Sequence, residues 1–438
     1  MKGVSDRVAL MCYLWSHTPY GNILGETSAG EPVRMLRCGE AVSGRGFFTM
    51  RGAEVEVGTC TLRGSVIILD DDMQWSSLSM AERESVVLIA AADIRSGRQL
   101  SACGGAIECM RYAPPQDKER RYRDLTVSGT DYICPEILGA MEAPQLASIK
   151  TRLLVERLSD KCARLDELRR LAGGGDSDMA VAALLDSVMI SNPENRRLFG
   201  ELGTIIGHNR IISSLITGDK ESDKISAEAL LFGSAGFLSE AAVTYADEYT
   251  YRLREIFDRL RKAHRLTPIS YVSWNRGSRR DNTPALLIAQ TAALLADGKP
   301  LFHRMCECRT IGDLRELFSE APSEYWRDHF ALGRPCEPVS TGHRITGDKI
   351  DRILINFMLP FMFDRLRRTE GEECAAEVVE MFDSIDGEHN NIVGRYDAHI
   401  SVRTSFDSQA HIQLYKCYCR QNRCWQCPVG ARYMSSAR

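Results

Sequence analysis

Between Leu146 and Ala172 the chain reads LASIKTRLLVERLSDKCARLDELRRLA, in which Leu153, Leu154, Leu158, Cys162, Leu165 and Leu168 return at three- and four-residue steps. That period draws one apolar stripe along a long helix, and such a stripe must be buried against other helices. Gly173-Gly174-Gly175 then stops it. Stretches of the same texture follow at Met179 to Met189, Ala227 to Leu238, Tyr245 to His264, Thr283 to Asp297, Ile311 to Phe318 and Ile350 to Phe363. No fixed-period repeat recurs among them, so a globular helical domain is expected rather than a solenoid.

Upstream the texture is different. AEVEVGTCTL alternates around Val55 and Val57 as a half-exposed strand does, with Glu54 and Glu56 on its wet side. Gly64 to Leu69 and Ser85 to Ala92 are continuous apolar runs, the pattern of central strands buried on both faces. The expected fold class is α+β: a small N-terminal mixed α/β sheet domain over 1–140, a larger all-helical domain over 141–410, and a cysteine-rich C-terminal tail over 411–438. The Pro- and charge-rich YAPPQDKERRYRDL reads as the connector.

Composition agrees with several packed cores: 438 residues, 44% hydrophobic and 26% charged. A formal charge of -4 argues against a uniformly basic nucleic-acid protein and leaves room for local basic faces. Asp6 and Arg7 interrupt what would have to be the apolar core of a signal peptide, so the start reads as a first amphipathic helix. INFMLPFMF (355–363) is far too short to span a bilayer and contains Pro360, so it reads as a buried kinked helix. A cytoplasmic protein without a membrane partner is expected.

The chain has 15 cysteines. Without an export signal a disulfide framework is not expected, and Cys12, Cys38, Cys60, Cys162, Cys306, Cys308, Cys336 and Cys374 read as small buried hydrophobes. The segment CYCRQNRCWQC (417–427) is different, because its sulfurs have ligand spacing. A two-residue gap lets Cys424 and Cys427 grip one metal from a tight turn, and Arg420 and Arg423 would favour their thiolate forms. On a helix, Cys417 and Cys419 would lie about 200° apart, so one of them is a bystander unless the helix has already ended.

Two ligand sets compete. Cys419-x4-Cys424-x2-Cys427 needs a fourth ligand from elsewhere. Cys417-x6-Cys424-x2-Cys427 resembles three quarters of the C-x6-C-x2-C-x5-C loop of helix-hairpin-helix DNA glycosylases, with Tyr433 at the last position. Zinc and a four-iron cluster both ask for four ligands, and Cys427-Pro428 suits either. The expected set is Cys419, Cys424, Cys427 and Cys134, the last from YICPE, with His411 or Cys417 as substitutes. The bland alternative is a group of unligated thiols in a reducing cytosol.

AEALLFGSAGFL (227–238), SEYWRDHFALG (323–333), INFMLPFMF and DSQAHIQLYKCYCRQNRCWQCPVG (407–430) resemble a family of uncharacterised Bacteroidetes proteins, domain-of-unknown-function family 2851. That family typically carries a Gly-Pro-Asp-Phe-like turn and a strand reading Gly-x-Val-Glu-Ile-His. Its Asp and Glu look like the metal-binding pair of restriction-endonuclease-like nucleases. Here the equivalent stretches are Gly44-Arg45-Gly46-Phe47-Phe48 and Gly64-Ser65-Val66-Ile67-Ile68-Leu69. Gly46 and Ile67 replace the carboxylates and Leu69 the histidine, so the resemblance implies a degenerate site with no catalytic residue. It also implies a cysteine near Cys134, from which a ligand would staple the sheet domain to the distant tail.

Asp70-Asp71-Asp72 would be the place for a shifted nuclease site, although a solvated turn ending the sheet edge is the commoner meaning of such a run. Basic runs occur at Lys118, Arg120, Arg121 and Arg123; at Arg259, Arg261, Lys262 and Arg265; at Arg276, Arg279 and Arg280; and at Arg365, Arg367 and Arg368. Arginine forks suit phosphates, but interleaved acids make most of these runs solvated helix faces. SEYWRDHF reads as a helix with Glu324 and Asp328 on one face and its aromatics anchored in the core. Gly233 and Gly236 lack the Lys-Ser/Thr of a phosphate loop and read as close helix packing. No serine elbow, dinucleotide fingerprint or HExxH helix is present, and His343 and His389 have no ligand-spaced companions.

The reading is therefore a non-catalytic protein associated with nucleic acid or with a partner, holding a cysteine-ligated zinc or iron-sulfur centre. DNA, RNA or a nucleic-acid-processing protein is its expected partner. A scaffold with a zinc staple and a nuclease using Asp70, Asp71 and Asp72 are the alternatives.

Overall fold

The structure, a computed structural model, describes all residues except 1–3, 102, 127–133, 174, 189–191, 209–210, 243–245, 276–282, 397–398, 422, 425 and 436–438. Arg276, Arg279, Arg280 and Gly174 thus lie outside the described residues, as does the Cys374 side chain. Two compact units are present. One comprises Met1–Ile149, Asn390–Ser401 and His411–Arg438, and the other Lys150–His389 and Val402–Ala410. The cysteine-rich stretch therefore belongs to the unit that holds the sheet. No helix among the described residues is long and apolar enough to cross a membrane.

The first unit opens with α1 (Asp6–His17) and continues through β1 (Ile23–Glu26), β2 (Pro32–Arg37), β3 (Glu40–Ser43), β4 (Phe48–Val57), β5 (Cys60–Asp71), the single turn α2 (Met80–Arg83), β6 (Val86–Asp93), β7 (Arg98–Leu100) and β8 (Ala106–Arg111). Strand order is β1-β2-β4-β5-β6-β8-β7, with β3 pairing β4 off this path. The pairs β5–β6 and β6–β8 are parallel and the rest antiparallel, which makes the sheet mixed. An isolated bridge from Thr27 to Met110 brings the beginning of the sheet round to β8.

Both faces of the centre are covered. Val66, Ile68, Leu88, Ala90 and Ala92 pack with Val8, Leu10, Met11 and Trp15 of α1. Their neighbours Ile67, Leu69, Ile89 and Ala91 pack on the other side with Trp75, Ile107 and Cys109. This explains the unbroken apolar runs, since side chains alternate between faces and here neither face is wet.

Two local expectations are corrected in this unit. AEVEVGTCTL is not one strand: Gly58, at φ +58°, turns β4 back into β5, and the alternation continues across the hairpin. The supposed connector contains a helix, α3 (Gln116–Thr126), with Tyr122 and Leu125 buried. Pro114 and Pro115 immediately precede it, where proline starts a helix more often than it marks a linker. After it comes α4 (Cys134–Gly139).

The helical unit begins within α5 (Ala143–Leu171), which buries the six stripe residues named above. It continues through α6 (Asp176–Val188), α7 (Pro193–His208), α8 (Ile212–Leu215), α9 (Lys220–Ser234), α10 (Glu248–His264), α11 (Pro284–Leu295), α12 (Leu301–Glu307), α13 (Ile311–Leu317), α14 (Gly347–Ile353), α15 (Leu359–Thr369), α16 (Glu372–Met381) and the start of α17 (Ser405–Gln413). A π turn, Leu354–Met358, joins α14 to α15. Pro360 has no N–H to offer there, and Lys161 instead donates to the Ile355 carbonyl at 2.8 Å.

SEYWRDHF is not helical beyond one turn. Residues Glu324–Arg327 form a 3-10 turn, and β9 (His329–Ala331) then pairs with β10 (Arg334–Pro335). Tertiary contacts override the helical pattern. Trp326 stacks on Phe232 at 5.4 Å, Tyr325 stacks on Tyr249 at 4.0 Å and on His329 at 3.9 Å. No single helix face would serve all of these contacts.

Beneath this hairpin lies Glu228, wholly buried. Its carboxylate accepts from the Trp326 indole and the Tyr249 hydroxyl at 2.7 Å each, and from the Ser323 N–H at 3.1 Å. Burial pushes this carboxyl up to about 7, against the lowering effect of the three donors. Gly233, on the same helix, faces Phe257 so closely that an added Cβ would sit 2.1 Å from the ring. Gly236, at φ +81°, ends the segment against the Ile269 carbonyl, so both glycines serve close packing.

Two outcomes are expected. A carboxyl with a raised pKa holds its proton more tightly when folded, so its stabilisation is complete below the ordinary glutamate range and is lost as pH rises through about 7. Thermal melts between pH 5 and 8 should show this loss, of roughly 3 kcal/mol, in the native protein and a flattened profile in Glu228→Gln. Gly233→Ala should lower the denaturation midpoint by the equivalent of about 1–3 kcal/mol through overpacking against Phe257.

Candidate metal centre

The cysteine loop is aimed by the end of α17. That helix runs into a π turn, Leu414–Tyr418, and then a 3-10 turn, Cys419–Gln421, so helical geometry has not ended at Cys417. Cys419 is accordingly buried while Cys417 is half-buried. The chain then folds back through bonds from Arg423 N–H to the Tyr418 carbonyl and from Cys427 N–H to the Cys424 carbonyl, at 2.9 and 3.3 Å. Asn422 and Trp425 of this loop lie outside the described residues.

A last helix, α18 (Pro428–Ser435), starts directly after Cys427, with proline at its first position. The Cys427 sulfur accepts from the N–H groups of Val429 and Gly430, so it caps the helix where partial positive charge gathers. Gly430 is required by the same turn, because a Cβ there would stand 2.5 Å from the Cys424 carbonyl.

Cys134 is the first residue of α4, which packs against α18. Its thiol hydrogen-bonds to Cys419, and Cys427 and Cys424 are close enough to act on it electrostatically. The Cys419 sulfur is held below the usual thiol range by that bond from Cys134, against desolvation, with further help from Tyr396 and the charge of Arg395. Cys134 is correspondingly raised by the bond to Cys419 and by burial. Burial pushes the thiols of Cys424 and Cys427 up to about 12.

Among the described residues, no three His, Cys, Asp or Glu side chains stand ready in a metal-holding set. The four expected sulfurs nevertheless share one neighbourhood in a single compact unit, three of them buried and Cys424 half-buried. Sulfur donors in that number suit zinc or an iron-sulfur cluster and not magnesium or calcium. His411, weighed as a substitute, is buried with its ring stacked on Tyr396 at 4.5 Å. Tyr396, Arg395 and the two N–H donors of α18 were not foreseen. Cys427-Pro428-Val429-Gly430 held a signal for the two N–H donors alone, a glycine where the backbone must approach closely.

The positions compared with a nuclease lie apart from this cluster in role. Gly46 adopts φ +89° in the turn before β4, and Ile67 and Leu69 are fully buried. Asp70, Asp71 and Asp72 do not form a solvated edge turn, because β5 is central and Asp72 is completely buried. Burial alone would raise the Asp72 carboxyl, but the Ser96 hydroxyl and the N–H groups of Arg95, Ser96 and Gly97 outweigh it and hold it low. Asp71 pairs with Arg95 at 2.9 Å. Arg7 reaches Asp70 at 3.4 Å, Asp93 at 3.0 Å and Glu119 at 3.5 Å. Glu54 pairs with Arg63 and Glu56 with Arg34, at 3.0 and 3.6 Å, on the more accessible side of β4.

The basic runs differ in what they have left to offer. Lys118 and Arg121 donate to the Met434 and Tyr433 carbonyls, and Arg367 and Arg368 face Asp364 at 3.9 and 2.8 Å. Of the scattered cysteines Cys12, Cys162 and Cys308 are buried, as expected. Cys38, Cys306 and Cys336 are only half-buried, and Cys60 is exposed at the tip of the β4–β5 hairpin, which corrects the expectation for these four.

No curated protein and no solved structure matches the chain. The family model described as "Protein of unknown function (DUF2851)" matches residues 9–391, which takes in the sheet and most of the helical unit and ends before the cysteine loop. With most of its length covered by that match, the chain belongs to this family.

Proposed function

We propose that Cys134, Cys419, Cys424 and Cys427 hold one zinc ion or iron-sulfur cluster, and that the protein is a non-catalytic partner of nucleic acid or of nucleic-acid processing. The observation that carries the metal is the sulfur-to-sulfur hydrogen bond between Cys134 and Cys419, residues remote in sequence that meet in a buried pocket of thiols. The bond from Cys134, the Tyr396 hydroxyl and the positive Arg395 hold the Cys419 sulfur below the usual thiol range, towards the thiolate form that binds metal, whereas at Cys427 burial outweighs the N–H groups aimed at it. Bound in that place, the metal would supply coordination energy that ties α4 to the loop and to α18. Absence of a catalytic role is supported by Gly46 and Ile67, which offer no ligand, and by the commitment of Asp70, Asp71 and Asp72 to Arg7, Arg95 and a backbone turn. A reducing, cytoplasmic setting fits, since the cysteines described are free thiols.

Metal and sulfide analysis of protein purified without oxygen tests this reading. Colourless protein with one zinc, or brown protein with iron and sulfide in equal amounts, would support it. Cys134→Ser and Cys419→Ser should each lose the metal and melt several degrees earlier, whereas Cys417→Ser should keep it. Metal-free protein whose melting is insensitive to chelators and to these substitutions would overturn the proposal. The non-catalytic half fails separately, if a manganese-dependent nuclease activity appears and vanishes in Asp71→Ala.

A further inference from the structure

From Ser408 to Arg438 there is not one Asp or Glu, in a chain whose net charge is -4. The same stretch carries Lys416, Arg420, Arg423, Arg432 and Arg438, the last of these outside the described residues. Arg420 and Arg423 lie on the cysteine loop and Arg432 on α18, all three exposed. They make no ion pair among the described residues, unlike the arginines of α15. Arg395, also exposed, adds a further charge and stands over the Tyr415 ring at 5.1 Å. Asp6 acts on this neighbourhood through Cys424.

An uncompensated cationic face attracts a polyanion. Arginine rather than lysine dominates it, and a guanidinium fork matches a phosphate with two parallel hydrogen bonds. The nearby rings are already engaged, Tyr415 beneath Arg395 and Tyr433 against the core of the sheet unit, so the guanidinium groups and not the aromatics carry this face. The exposed cations of α10, by contrast, alternate with Glu248, Glu255 and Asp258 and crowd the end of the helix, where they answer its own dipole.

We infer that the face formed by Arg420, Arg423 and Arg432 is a docking surface for the phosphate backbone of a nucleic acid. The inference names the partner-binding face within the functional reading above and rests on it in one respect: the metal fixes the loop that presents Arg420 and Arg423. Each arginine engages a phosphate and releases condensed counterions, so binding weakens with salt.

The test titrates a fluorescent single-stranded oligonucleotide with the metal-replete protein across a salt series. Expected is measurable binding at low salt, weakened at least about tenfold in Arg420→Glu/Arg423→Glu/Arg432→Glu, whose slope of log affinity against log salt shrinks by about two. Arg259→Glu/Arg261→Glu/Lys262→Glu on α10 should bind as the unaltered protein does. Metal content and melting temperature are measured on the same samples, and both should be unchanged in the loop variant. If reversal instead removes the metal, the arginines serve to balance the thiolates and the surface is refuted. No binding at low salt, equal binding by the loop variant, or equally tight arginine-dependent binding of polyglutamate would also overturn it. Arginine-dependent binding by wild-type protein that contains no metal would sink the cysteine centre and leave the surface standing.

Discussion

The parallel pairing of β5 with β6, buried on both faces, is what the rest of the sheet unit hangs on. A parallel pair cannot be closed by a hairpin, so the chain must leave the sheet and return, and the excursion through Trp75 and α2 covers the second face as it does so. The first face must be covered by something else, and α1 lies there. With α1 in place, α3 packs on it, and α18 in turn packs on α3 and α4. α18, which follows directly on the cysteine loop, is thus tied back to the two strands through α3 and α1.

That position gives the thiols a thermodynamic character of their own. Four sulfurs drawn into a buried neighbourhood repel one another once ionised, and burial opposes each charge. The protein answers with hydrogen bonds from Cys134 and a tyrosine hydroxyl at Cys419 and with helix N–H groups at Cys427. A cation of charge two or more would answer it better, since coordination compensates all the sulfurs at once. The same arithmetic separates this cluster from Asp70, Asp71, Asp93 and Glu119, where Arg7 and Arg95 already supply the compensating charge from within the chain.

Elements governed by their own periodicity could be read from the sequence, and those governed by distant partners could not. The α5 stripe is legible because each of its residues faces one core, and β5 and β6 because both of their faces are dry. Residues 323–331 misled because Trp326 and Tyr325 obey Glu228, Phe232 and Tyr249, far away in the chain. The connector misled because Pro and charge mark a helix start as readily as a linker. In the candidate centre the spacing of Cys424 and Cys427 singled out the loop. The contribution of Tyr396 was invisible, since nothing in the letters around it says that its hydroxyl meets a sulfur.

Two π turns, at Leu354–Met358 and at Leu414–Tyr418, have more in common than their shape. Each is the mark of one residue inserted into a regular helix, and a single inserted residue swings whatever follows by about 100° around the axis. At the second turn the element that follows begins with Cys419. The azimuth of that sulfur is therefore set by one surplus residue, which turns Cys419 inward and leaves Cys417 half-buried.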